Sequence, residues 1–320
     1  MRHACLVAED VVPPIDTTAK RWPGREVELD GVNTFVRSTP AKGTGAEPAL
    51  YLHGLGGSSA NWTDLAGLLA DRLDGQAIDL PGFGASEPAR SYRLAAMASR
   101  VARWIEVGHG APVHLFGNSM GGAVAVHTAA TRPDLVRTLT LISPAMPFLD
   151  PRRSAQGRVV PLLFLPNAPR LAARRMAAFE PEELARLVIE TCFADPTVVP
   201  EHRFMEAVEE ARARSAIPWY AEAYVRSLRS LVGSFVRAYL PGTGSLWRMA
   251  ARITAPTLVI AGTQDRLVDV RVSPRVAEAI PDSRLLLLDN VGHVAQMEVP
   301  RIVARAFLGM HDEVAAAFGA

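Results

Sequence analysis

The sequence predicts an α/β protein, a doubly wound and mostly parallel sheet with a helical insertion. Three observations carry that reading. Short apolar runs such as LVRTLTLIS, APTLVIAG and SRLLLLDN are nearly continuous, as strands buried on both faces must be. Helical stretches alternate with them, which implies right-handed βαβ crossovers. One interval, residues 147–249, breaks the alternation and is too long for a structureless loop.

Along the chain, the residues before about Trp22 (MRHACLVAEDVVPPIDTTAKRW) carry acids and prolines. They lack the unbroken apolar run of a signal peptide and are expected to form an irregular leader, residues 1–22, outside the core. EVELDGVNTFVRS predicts a hairpin turning at Asp30-Gly31, where polar and apolar residues alternate. ALYLHG and GQAIDLPG are short strands ending in glycine-rich turns, and Trp62 to Leu73 between them has helical spacing. PVHLFGNS is a further strand, followed by a helix through MGGAVAVHTAATRPD that stops near Pro133. The core domain is thus expected over residues 23–146 and 250–320. The interval 147–249 contains helical patterns in PEELARLVIETCF and EHRFMEAVEEARAR, and its place between two core strands predicts a cap over the sheet's carboxyl edge. Its large apolar groups, Phe148, Phe164, Trp219, Tyr220, Tyr224, Phe235, Tyr239 and Trp247, with Met146 just before it, suit an acyl chain or an aromatic ring, although most are expected to bury the cap itself.

Composition excludes several classes. A formal net charge of +1 gives no global field toward nucleic acid or an anionic membrane. The longest apolar runs are too short to cross a bilayer. Cys5 and Cys192 stand in no metal or redox spacing and are read as reduced thiols, which fits a cytoplasmic protein. No metal-ligand spacing and no phosphate loop is visible, since HGLGGS lacks the lysine of a P-loop. No cofactor is therefore expected, and the partner is a small molecule.

The chemistry concentrates at Gly117-Asn118-Ser119-Met120-Gly121, a G-x-S-x-G pattern between a strand and a helix. Small neighbours allow a tight turn that lifts the serine hydroxyl to a helix N-terminus, where developing negative charge is favoured. A neutral serine needs a base, and the base needs an orienting acid. Among eight histidines, His293 alone combines a late position, a preceding strand and a glycine neighbour. His114 is expected in the core, and His311 in surface or helical packing. Asp265, at the end of VIAGTQD, is the favoured acid, with Asp269 its local competitor. The oxyanion donors are expected to be the backbone N–H groups of Met120 and Leu55, with Gly56 the alternative to Leu55. His53 is read as ordering that loop.

With these motifs assembled, the chain resembles the α/β-hydrolase family from about Val27 to Leu308, the cap interval excepted. HGLGGSSANW resembles its oxyanion loop, GNSMGG its nucleophile elbow, and GTQDRLVD and GHVAQMEVP its acid and histidine segments. DLPGFGAS resembles a further motif of the family, which implies structural roles for Asp79 and Ser86. The serine nucleophile favours a carboxylic-ester hydrolase acting on a small or medium apolar substrate. A carbon–carbon bond hydrolase resembling the meta-cleavage-product enzymes is the alternative, weakened by HGLGGSS in place of HGGGPG and by Val294 after the histidine. A non-catalytic small-molecule binding protein on the same fold is the reading from another class.

Overall fold

The computed structural model describes residues 1–16, 18–148, 154, 160–240 and 245–318. Nine strands form one sheet: β1 (Arg2–His3), β2 (Gly24–Leu29), β3 (Val32–Thr39), β4 (Glu47–Leu52), β5 (Leu73–Ile78), β6 (Val113–Asn118), β7 (Val136–Ile142), β8 (Thr257–Gly262) and β9 (Ser283–Leu288). Their order is β1-β9-β8-β7-β6-β4-β5-β3-β2. Only the β2–β3 and β3–β5 pairings are antiparallel. The expected hairpin turns where the sequence places it, with φ of 50° at Asp30 and 74° at Gly31, a pair of left-handed residues that matches the sheet's twist.

Twelve helices are described: α1 (Thr63–Leu69), α2 (Leu94–Gly108), α3 (Met120–Thr131), α4 (Val160–Leu163), α5 (Ala168–Met176), α6 (Pro181–Cys192), α7 (Glu201–Ala216), α8 (Tyr220–Arg237), α9 (Leu246–Ala250), α10 (Val272–Ala279), α11 (Ala295–Glu298) and α12 (Pro300–Phe318). The helix read from Trp62 to Leu73 is shorter, because Leu73 already pairs as the first residue of β5.

Strand alternation divides the core into two apolar layers, one on each face. Leu50 and Leu52 of β4, Leu115 of β6 and Val259 of β8 face α2, α3 and α10. Their neighbours Ala49, Tyr51, Phe116, Leu258 and Ile260 face α1 and α12. On that second face Phe116 lies between Tyr51 and Phe307, with ring centroids 4.6 and 4.9 Å away. Contacts of this kind contribute about 0.5–1.5 kcal/mol each beyond area burial.

The N-terminal segment corrects the expectation of a leader outside the core. Arg2 and His3 pair in parallel with Arg284 and Leu285, and Val12 is buried in the α1/α12 layer. A strand of two residues has no readable period, so the sequence pattern could not mark it. The interval 147–249 contributes α4 to α8, and α8 packs against α2. Helix α9 runs across the expected boundary at residue 249 and packs on α3 and α10.

Candidate active site

Ser119 sits between the last residue of β6 and the first of α3, at φ 53° and ψ −117°. Such a backbone costs a non-glycine residue about 1–3 kcal/mol, so its surroundings must hold it. They do so through three main-chain bonds: Ser119 N–H donates to Ile142 O at 3.0 Å, and Ser119 O accepts from Ala123 N at 3.1 Å and Ala145 N at 2.9 Å. The flanking glycines are demanded by contact. A Cβ on Gly121 would lie 2.3 Å from Leu52 O, and one on Gly117 would lie 2.6 Å from Gly121 O.

His293 follows β9 in the loop before α11, and Asp265 follows β8. Their side chains meet: His293 Nδ1 lies 2.8 Å from Asp265 Oδ2, and both groups are buried. The other carboxylate oxygen, Oδ1, accepts from Leu267 N at 2.8 Å and Val268 N at 3.0 Å. Burial pushes the Asp265 pKa up, but His293 and these N–H donors outweigh it and hold the carboxyl below its usual range. Asp269, four residues on, is engaged by Arg271 through a 2.6 Å contact.

Ser119 and His293 line the same cavity, of about 400 Å³, together with Gly54, Leu55 and Gly56. Among the described residues no hydrogen bond joins the Ser119 hydroxyl to the His293 ring; such bonds often tighten only when substrate is bound. Leu55 is half-buried on the cavity wall. Met120 is the first residue of α3, where N–H groups have no partner inside the helix. The Leu55 loop is held close to the elbow by Gly54, whose Cβ would stand 3.1 Å from Ser119 Cβ. His53 orders the loop from below. Its Nδ1 lies 2.7 Å from Gly54 O, and its Nε2 accepts from Leu80 N at 2.9 Å, which places the ring proton on Nδ1. Asp79 accepts from Ser59 N and Ala85 N, and Ser86 Oγ donates to Asp79 O, so both shape the adjoining turn.

Three contributors were not singled out from sequence. Asn118 Nδ2 donates to Ile142 O and to His293 O, both at 3.1 Å. Glu298 accepts from Gly292 N at 2.8 Å and Ala194 N at 3.1 Å, joining the histidine loop to the end of α6. Cys192 O accepts from His293 N at 2.7 Å. Asn118 lies inside the elbow motif and could have been suspected; nothing local marks the other two. Burial and Asp265 push the Cys192 thiol up to about 12, so it stays protonated beside the cavity.

The cavity lining mixes two kinds of side chain. Aliphatic side chains of α6 and α8, including Val188, Ile189, Leu231 and Val232, line it with Phe148 and Phe235. Other aromatics of the interval do not line it: Phe164 and Tyr239 are exposed, and Tyr220 packs edge-on against Phe83 at 5.9 Å. The described charged groups of the lining are compensated. Arg203 pairs with Asp64 and Glu206, Arg214 with Glu210 at 2.8 Å, and Arg21 with Glu206 at 3.5 Å.

Comparison with known proteins agrees with this architecture. The family described as alpha/beta hydrolase fold matches residues 48–300. The chain belongs to that family, and the protein is an α/β-hydrolase. It is 30% identical over 275 residues to the dihydrolipoyllysine-residue acetyltransferase component of the acetoin cleaving system of Cupriavidus necator, covering 85% of this chain but only 64% of that protein. It is 28% identical to monoacylglycerol lipase abhd6-B of Xenopus laevis, over 89% of this chain and 82% of the relative. It is 27% identical to 2-hydroxy-6-oxononadienedioate/2-hydroxy-6-oxononatrienedioate hydrolase 2 of Pseudomonas putida, over 80% of this chain and 84% of the relative.

Proposed function

We propose that this protein is a serine hydrolase that cleaves carboxylic esters of small or medium apolar acyl groups through an acyl-enzyme on Ser119. The observation that carries the reading is the buried His293–Asp265 pair, whose histidine lines one cavity with a serine in a strained strand-to-helix turn. Ser119 Oγ attacks the ester carbonyl while His293 Nε2 takes its proton, and Asp265 holds the imidazolium that forms. The N–H groups of Met120 and Leu55 receive the oxyanion. His293 returns the proton to the leaving alcohol, and water then repeats the sequence to release the acid. Residues 147–249 act as a cap whose aliphatic helices select the acyl group.

Ester cleavage is favoured over the carbon–carbon reading by the charge balance of the described cavity lining. The substrate named for the Pseudomonas relative is a dioate, whose carboxylates unpaired cations would bind. Among the described residues, the arginines lining the cavity, Arg21, Arg203 and Arg214, each pair with an acid that also lines it. A neutral, hydrogen-bonding alcohol portion suits those paired groups better than a carboxylate.

The test is hydrolysis of p-nitrophenyl esters from acetate to longer chains, by wild type and Ser119→Ala. Turnover that disappears in the variant supports the proposal. Folded wild type that turns over no ester but does cleave a dienone overturns it in favour of carbon–carbon hydrolysis. Inactivity on both classes points to a binding role.

A further inference from the structure

At the amino-terminal edge of the sheet, three elements bring together side chains that the ester chemistry does not use. Glu47 opens β4, His114 is the second residue of β6, and His311 lies in α12. Glu47 Oε2 is 2.9 Å from His114 Nε2 and 2.9 Å from His311 Nε2. All three donor atoms lie within 4.8 Å of one another. We propose that Glu47, His114 and His311 form a binding site for a divalent transition-metal ion, zinc foremost, that clamps α12 to the sheet.

The donor set is two imidazoles and a carboxylate, which suits zinc. Tetrahedral Zn–N and Zn–O bonds of about 2.0–2.2 Å separate ligand atoms by roughly 3.3 Å. The two contacts of Glu47 therefore need to open by only a few tenths of an ångström, and the two imidazole nitrogens, within 4.8 Å of each other, need to settle at that separation. Metal sites are recognised as much by what orients their ligands, and here every ligand has such a partner. His114 Nδ1 is 2.8 Å from Thr138 Oγ1, His311 Nδ1 is 3.4 Å from Asp312 Oδ1, and Glu47 Oε1 accepts from Arg137 Nη1. With a metal on Nε2, each imidazole donates its Nδ1–H outward to these oxygens, and Arg137 keeps Glu47 monodentate. Edge-on packing of His114 against Phe307, with centroids 5.5 Å apart, fixes that ring further. Glu47 and His311 are partly exposed, which gives an ion a way in and leaves room for a water as fourth ligand. The site stands five residues along β6 from Ser119, about 16 Å at strand rise, so it serves stability rather than chemistry. The sequence hides it because its ligands come from positions with no local spacing.

The experiment is calorimetric titration of chelator-treated enzyme with ZnCl2, repeated with CoCl2 for its visible absorption bands, on wild type, His311→Gln and Glu47→Gln. Glutamine is a good helix former and keeps α12 intact at position 311. The expected result is one equivalent bound by wild type, affinity reduced at least tenfold in both variants, and a Tm rise of roughly 4 °C at hundredfold excess over the wild-type Kd, with at most about half that rise in either variant. Absence of binding to wild type overturns the proposal. So does binding of equal strength in both variants, which would put the ion elsewhere, for example at His293 and Asp265.

Discussion

Asn118 Nδ2 donates to the backbone carbonyl of His293, tying the residue before the nucleophile to the residue proposed as its base. The same amide also holds Ile142 O, on the strand that receives the Ser119 N–H. One side chain thus fixes the spacing between the elbow and the histidine loop. Asn118→Ala takes that donor from His293 O, at a cost of about 1–3 kcal/mol, while Ile142 O keeps the Ser119 N–H. The expected outcome is a urea midpoint lowered accordingly, with kcat on the preferred ester reduced at least tenfold and KM little changed. An unchanged kcat in a destabilised variant would show that the tether serves folding alone.

The acid assignment separates two neighbours. Asp265→Asn should lower kcat by about 10⁴-fold, the scale that asparagine produces in serine-protease triads. Asp269→Asn should change it little, since Asp269 spends its carboxylate on Arg271. Because the Asp265 pKa is depressed in the folded state, its contribution to stability is complete above the ordinary carboxylate value near 4. It is lost as pH falls through the depressed value. The difference in unfolding free energy between wild type and Asp265→Asn should therefore hold from pH 7 to about pH 4 and shrink below it. Denaturant melts at pH 7, 4 and 2.5 would show whether it does.

Much of this site was legible beforehand, and for a definite reason. Ser119, Asp265 and His293 stand at the ends of β6 and β8 and in the loop after β9, and continuous apolar strands are what periodicity marks best. The Asp30-Gly31 turn carried its own signal, because few residues tolerate positive φ. Contacts made by chain folding were not legible. Glu298 meets Ala194 across 104 positions, and Glu47 meets His311 across 264. The two-residue β1 pairs through backbone groups that any side chains could accompany. The pairing of Arg21 with Glu206 and Glu209, and of Arg203 with Asp64, likewise needed coordinates, whereas Arg203–Glu206 and Glu210–Arg214 follow from i,i+3 and i,i+4 spacing on α7.

Gly54 tests how closely the loop of Leu55 must approach the nucleophile elbow. Its φ is not positive, so alanine brings no backbone strain there, only bulk. The new methyl would press on Asn118 Oδ1 at 3.0 Å and Ser119 Cβ at 3.1 Å, so the loop must retreat by a few tenths of an ångström. Displaced donors lose part of an interaction whose complete removal costs about 10²–10³ in kcat. Gly54→Ala should therefore fall at least tenfold in kcat on every ester, with stability reduced by no more than about 1–3 kcal/mol. A variant with full activity would place the oxyanion donor elsewhere than Leu55.

The aliphatic lining of the cavity makes the last prediction. Val232 lines it from α8, and phenylalanine there would fill space now open to an acyl chain. Short esters, which need only the region near Ser119, should keep kcat/KM within a few-fold of wild type. Longer ones should lose it progressively, because each methylene denied burial is worth about 1–3 kcal/mol, or 10–200-fold. The chain-length profile of Val232→Phe should thus peak at a shorter acyl group than that of wild type. A uniform loss across the series would mean that α8 does not bound the acyl site. An unchanged profile would mean that the acyl chain does not run past Val232.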